Sequence, residues 1–294
     1  MANLKAIRIR ITSVKSTRQI TSAMKMVSAA KLRKAQDKIV RLRPYANKLQ
    51  EIQVNISRSL AEQEVNNIYG RDASPGKVLL IVITSNRGLC GAFNANVIRE
   101  IRNIILEKYS EQLRNGNLKL LTIGKKGFDF FRKQNIPMLP DQNNLLHDLT
   151  FDNASIIAEQ IMNSFASGEF DRVELVYNKF KNAAVQILTN ELFLPVKTIT
   201  GEKQVTIPAD YIYEPNRVEI INELIPKSLK IQFYKAVLNS FVAEHGARMN
   251  AMHKATDNAT TMIRELTLQY NKARQSTITN QILEVVSGAE ALRG

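Results

Sequence analysis

The chain has 294 residues, of which 44% are hydrophobic, 23% charged and 6% aromatic, with no tryptophan. That is the composition of a folded protein of one large or two ordinary domains, and it favours aliphatic helix packing over an aromatic ligand-binding surface. The net charge of +14 sits almost wholly in residues 1–58, where fourteen Lys and Arg face two acids, Asp37 and Glu51, so this arm attracts an acidic partner: nucleic acid, anionic lipid or an acidic protein surface.

Glycine and proline are scarce at both ends. No glycine precedes Gly70, Pro44 is the only proline before it, and residues 227–287 hold no proline and a single glycine, Gly246. Two long helical arms flanking a central domain follow from that pattern. In the first arm, Leu4, Ile7, Ile11 and Val14 alternate in steps of three and four, a coiled-coil seam. The apolar stripe resumes at Ile20, Met24 and Val27 and thins through Ala30, Ala35, Ile39 and Leu42, a shift that predicts a stutter. Pro44 predicts a kink or a lost hydrogen bond. Tyr45, Leu49, Ile52 and Ile56 nevertheless carry the apolar face onward.

The stretch from Asn66 to Gly76 reads as a loop and a domain boundary. Lys77 to Thr84 reads as a strand buried on both faces, followed by a glycine-containing turn and a helix over 94–113 with Val97, Ile101, Ile104 and Ile105 inward. A second strand over Lys119–Ile123 ends in Gly124-Lys125-Lys126-Gly127 and a short helix holding Phe128, Phe130 and Phe131. A helix over 153–166, a strand over Arg172–Phe180 and a fourth strand over Ala184–Leu194 complete the domain. Strands alternating with helices imply a mostly parallel sheet covered on both faces. Pro195 to Pro215 is irregular. The second arm begins at Val218, Ile221, Leu224 and Ile225, with Pro226 interrupting it, and its stripe runs on to Ile278, Ile282 and Val285. The chain thus divides at 1–65, 66–215 and 216–294. Neither arm is apolar all round, so each needs a partner. The nearest is the other arm, paired antiparallel, and any excess length must pack on a surrounding protein.

Chemical motifs are weak. Ser85-Asn86-Arg87-Gly88-Leu89-Cys90-Gly91 lies where a phosphate loop would lie, but no Gly-Lys-Ser/Thr follows and the glycines do not fit G-x-G-x-x-G, so it reads as a tight strand-to-helix turn. Cys90 is the only cysteine, which excludes an internal disulfide and a cysteine metal site. His147, His245 and His253 lack metal-ligand spacing. No cofactor is expected. A basic coiled coil that binds nucleic acid is the alternative that charge allows. The basic residues, however, interleave with the apolar seam through the whole arm, and aromatics for base stacking are few, so a solvated or protein-facing helix is preferred. The longest aliphatic run, Val78 to Ile83, is far short of a bilayer span, and no signal peptide is visible. A bacterial cytoplasmic chain is expected.

Several blocks resemble one family. Ile20-Thr21-Ser22-Ala23-Met24-Lys25-Met26-Val27-Ser28-Ala29-Ala30-Lys31, with Arg43-Pro44-Tyr45 after it, is similar to the N-terminal signature of the gamma subunit of F-type ATP synthase. The turn Ser85 to Gly91 resembles that family's central-domain turn. Glu244-His245-Gly246-Ala247-Arg248-Met249, Ala255-Thr256-Asp257-Asn258-Ala259 and Tyr270-Asn271-Lys272-Ala273-Arg274-Gln275 resemble its C-terminal helix. The resemblance implies an antiparallel coiled coil of the terminal helices and a central Rossmann-like α/β domain. It implies a central stalk that couples ion flow to ATP synthesis or hydrolysis by rotating inside a hexamer of alpha and beta subunits, without catalytic residues of its own. It places Met24, Lys25, Arg274 and Gln275 against the beta subunits, and Ile282, Val285 and Val286 in an apolar sleeve. Tyr211, Tyr213 and Glu214 fall at a foot facing the epsilon subunit and the c-subunit ring. The implied location is the cytoplasmic side of the bacterial inner membrane, peripheral and held there through the complex. No nucleic acid is expected as partner. Light-regulated plastid members carry an inserted cysteine pair; this chain has only Cys90, so no thiol switch is inferred.

Overall fold

The computed structural model describes residues 4–59, 68–70, 76–196 and 217–292. In chain order the elements are α1 (Leu4–Ser59), a 3-10 turn (Ile68–Gly70), β1 (Val78–Ile83), α2 (Phe93–Lys108), α3 (Ser110–Arg114), β2 (Leu118–Ile123), α4 (Lys125–Arg132), a 3-10 turn (Asn143–Leu146), α5 (Phe151–Ala166), β3 (Arg172–Phe180), β4 (Gln186–Leu194) and α6 (Arg217–Ala291). α1 has 56 residues and α6 has 75, and each holds one proline, Pro44 and Pro226. The expected interruption at Pro226 is absent. A proline removes one helical N–H, yet both helices run on unbroken through it.

The chain forms two compact units, Met1–Ala29 with Arg248–Gly294, and Ala30–Ala247. In the first, α6 is shielded at Met252, Thr256, Ala259, Ile263, Leu266, Tyr270, Ala273 and Thr277, alternating in steps of four and three. α1 answers with Leu4, Ile7, Ile11, Val14, Arg18, Thr21, Lys25 and Ser28 in steps of three and four. The Thr21 and Thr256 hydroxyls meet at 2.9 Å. From that pair, α1 runs back to its start at Leu4 while α6 runs forward to Thr277, its last shielded residue, so the shielding of α6 ends within about a turn of where an antiparallel α1 ends. Residues 278–291 of α6 are exposed throughout.

The stutter expected at Ile20, Met24 and Val27 does not occur. Ile20 is 60% and Val27 58% exposed, while Thr21 and Ser28 are buried. The seam keeps one register through a polar stretch because small hydroxyl side chains fit between close helices and give their protons to the helix itself. Thr21 Oγ1 donates to Arg18 O at 3.1 Å. On α1 within the second unit the same spacing continues at Leu32, Ala35, Ile39 and Leu42, so Ala30, expected on the stripe, is exposed.

The second unit is built on a four-stranded sheet of order β2-β1-β3-β4. β1 pairs in parallel with β2 and β3, and β4 closes the sheet antiparallel to β3. Every residue of β1 is buried, and its alternation divides the core. Leu79, Ile81 and Ile83 face α5 and the Leu229, Phe233 and Val237 face of α6. Val78, Leu80 and Val82 face Val97, Ile101, Ile104 and Ile105 of α2, and Phe131. The free edge of β2 is covered by 137–142, where Leu120 N donates to Pro137 O and Gln142 N to Thr122 O.

The single helix expected over 94–113 is broken at Tyr109, whose side chain turns inward to a buried polar cluster. Its hydroxyl donates to Glu174 Oε1 at 2.6 Å, beside Arg172 Nε at 2.7 Å, and Asn190 Nδ2 reaches Oε2 at 2.8 Å. Burial works to raise the Glu174 carboxyl, but the hydrogen bonds from Tyr109, Asn190 and Arg172 outweigh it and hold the group below the ordinary carboxylate range. Burial and the same carboxylate push the Tyr109 phenol well above its ordinary value.

Candidate functional site

In an open parallel sheet, ligands bind at the carboxyl ends of the strands where the strand order reverses, here between β1 and β3. That crevice is filled. Asn178, near the end of β3, donates from Nδ2 to Phe93 O at 3.1 Å. Phe93 and Cys90 pack against Ala243 of α6, with Phe180 and Ala247 around them. The Cys90 thiol is buried, receives a hydrogen bond from Asn94 Nδ2 at 3.3 Å and lies 3.7 Å from Ser85 Oγ.

The second glycine turn is also used internally. Gly124 N donates to Asn143 Oδ1 at 2.9 Å, Lys125 N to Asn86 Oδ1 at 3.0 Å, Lys126 N to Ser85 O at 3.1 Å and Gly127 N to Thr84 Oγ1 at 2.9 Å. These four N–H groups at the start of α4 are the ones a phosphate would need. Gly124 takes a φ of +113°, and a Cβ there would lie 2.2 Å from Thr84 O, so the glycine serves the close approach of the two strand ends. The Asn side chains that bind the turn come from distant positions, which no local motif reveals. The two turns therefore lock one another.

The other residues expected at the site that the structure describes lie on the long helices. Met24 and Lys25 are half-buried, Lys25 at a seam position between Thr21 and Ser28. Arg274 and Gln275 are exposed. Ile282, Val285 and Val286 are 58%, 72% and 50% exposed. With Ile278 and Leu283, also exposed, they fall within an arc of about 160° at about 100° per residue, one broad apolar face on the unpaired end of α6. Tyr211, Tyr213 and Glu214 lie outside the described residues. Sequence reasoning missed a second exposed apolar line by assigning part of it to the seam: Ile9, Ile20 and Val27 lie within about 20° of one another on the outer side of α1. Counting threes and fours without a break from Leu4 would have found it. Among the described residues no helix is long and apolar enough to cross a membrane.

Comparison with known proteins agrees with this anatomy. The family described as ATP synthase matches residues 3–292. The chain is 54% identical over 294 residues to the ATP synthase gamma chain of Flavobacterium johnsoniae, covering all of both chains. It is 42% identical to that of Geobacter metallireducens, again over the full length of both. Its fold is similar to the central stalk of the Tetrahymena thermophila mitochondrial ATP synthase, solved with the c-ring (TM-score 0.59, 27% identity, 80% of this chain and 99% of that one). It is also similar to a chain of the Euglena gracilis mitochondrial ATP synthase in the OSCP/F1/c-ring assembly (TM-score 0.67, 22% identity, 98% and 94%). A chain matched end to end by these gamma chains, with two long helices and an α/β sheet, belongs to the gamma-chain family of ATP synthase, the central stalk of that rotary complex.

Proposed function

We propose that the chain works as a non-catalytic shaft whose functional surfaces are the outer faces of its helices. The single observation that carries this reading is the apolar face at Ile278, Ile282, Leu283, Val285 and Val286, on a helix that has run past its partner strand. An apolar face of that width on a bare helix end calls for a protein sleeve. The sleeve is the hexamer of alpha and beta subunits. Met24, Lys25, Arg274 and Gln275 meet the beta subunits, whose acidic surface complements the basic N-terminal arm. Rotation driven by ion flow then changes which conformation each beta subunit holds. The foot, including Tyr211, Tyr213 and Glu214, faces the epsilon subunit and the c-subunit ring on the cytoplasmic side of a bacterial inner membrane. Functionally the chain divides into a shaft strand at 1–65, a foot domain at 66–215 and a second shaft strand at 216–294. The packed crevice and the consumed N–H groups of the glycine turns support the absence of a nucleotide site on the shaft itself.

The test is the triple variant Ile282→Ser, Val285→Ser, Val286→Ser. Each side chain is at least half exposed in the free chain, so sleeve burial returns about 1–2 kcal/mol each and about 3–5 kcal/mol together. The variant should melt like the parent alone, yet reconstitute with alpha and beta subunits at least a hundredfold more weakly and stimulate ATP hydrolysis correspondingly less. Equal assembly of variant and parent would refute the sleeve.

A further inference from the structure

Within the second unit, α1, the end of β3 and α6 leave a cavity of about 250 Å³. Its apolar wall is Ile39, Leu42 and Phe180. Ile39 and Leu42 pack on the main core cluster with one side, Phe180 packs on the small cluster around Cys90 and Phe93, and all three stay only half-buried. The hollow is thus the space that neither cluster fills. Its polar wall is Lys179, Lys235 and Asn239. Among the described residues no carboxylate lines it, and neither lysine ammonium has an ion-pair or hydrogen-bond partner. Asn239 uses one amide hydrogen on Lys235 O at 2.8 Å, which leaves the second to donate.

Two lysine side chains and one amide donor stand beside an apolar wall. At about 30 Å³ per molecule the hollow would hold about eight waters. A monoanion with an apolar tail satisfies both walls. The same volume admits about eight to ten non-hydrogen atoms at that spacing, slightly below the usual range for small-molecule sites. We propose that the hollow between α1, β3 and α6 is a binding site for a medium-chain fatty carboxylate, its head group held by Lys179, Lys235 and Asn239 and its chain lying on Ile39, Leu42 and Phe180. This site is separate from the surfaces that serve the shaft and does not depend on them.

The experiment titrates octanoate into the full chain labelled at Ile and Leu methyl groups. The expected result is saturable one-to-one binding, with shifts concentrated at Ile39 and Leu42. Two ion contacts at an accessible site are together worth about 1.4 kcal/mol, a factor of about ten. Octanoate should therefore bind about tenfold more tightly than octanol, and octylammonium more weakly than either. Lys179→Gln with Lys235→Gln should bring octanoate to the octanol level while leaving methyl shifts elsewhere unchanged. Octanol or octylammonium binding as tightly as octanoate, octanoate shifts that never saturate, or undiminished binding by the glutamine variant would each overturn the proposal. The octanol and octylammonium comparisons use the unaltered chain, so they decide the matter even if the glutamine variant misfolds.

Discussion

The polar stretch of the coiled-coil seam makes a prediction that runs against intuition: replacing Thr21 and Thr256 together by valine should strengthen the coil. Thr21 Oγ1 donates to Arg18 O at 3.1 Å, and Thr256 Oγ1 lies 2.8 Å from Met252 O and 2.9 Å from Thr21 Oγ1. Each hydroxyl has one proton, so Thr256 serves either Met252 or Thr21 and not both. The Arg18 and Met252 carbonyls also face the helical N–H groups four residues on, so neither is left bare by the change. Losing a neutral hydrogen bond costs about 0.5–1.5 kcal/mol net, but replacing both partners by apolar groups of the same shape is close to neutral. Each added methyl in the shielded seam contributes about 0.8 kcal/mol. The balance for the double variant is a gain of about 1 kcal/mol. Native-state amide exchange in residues 19–25 and 252–260 reads it directly, because a gain of that size slows exchange about fivefold. A double variant whose seam amides exchange fivefold faster than the parent would refute the reasoning, since the hydroxyl contact itself would then be holding the helices together.

Tyr109→Phe removes a donor from a buried carboxylate that keeps Arg172 and Asn190, and should cost about 2 kcal/mol in urea unfolding at pH 7. Because the Glu174 carboxyl is held below its ordinary value in the folded chain, its contribution is complete above the unfolded pKa and lost as pH falls through the folded one. The Tyr109→Phe penalty should therefore shrink below about pH 4, and a penalty constant down to pH 3 would count against an ionised Glu174. Gly124→Ala places a Cβ 2.2 Å from Thr84 O, whereas Gly91→Ala, at φ +60° with nothing within 4 Å, meets only backbone strain. The first should lose more than about 3 kcal/mol and the second about 1–2 kcal/mol; equal midpoints in urea would show that the close approach at Gly124 is not the constraint.

The two long helices were legible because their signal is additive: dozens of residues without a breaker outweigh a single proline. β1 was legible because a run of six aliphatic residues admits few alternatives once loop residues flank it. The seam between Arg18 and Ser28 was misread because hydrophobicity was taken as the marker of the interface. Spacing between close helices selects for size there, and Thr21 and Ser28 are buried while Ile20 and Val27 face outward. The break at Tyr109 was hidden for a related reason, because its cause is Glu174, 65 residues away on β3. The locking of the glycine turns was equally hidden, since Asn86 and Asn143 act across 39 and 19 residues on the N–H groups of Lys125 and Gly124. Local pattern identifies elements, and contacts between distant residues decide where those elements stop.

The bare end of α6 also bears on how a cell handles this chain before assembly. A newly made copy carries Ile282, Leu283, Val285 and Val286 uncovered in water, an apolar face of the kind that associates unless it is covered. Copies in which that face stays uncovered are the ones open to aggregation. With the proposed sleeve as its cover, this end of one helix ties the lifetime of each shaft to finding a socket.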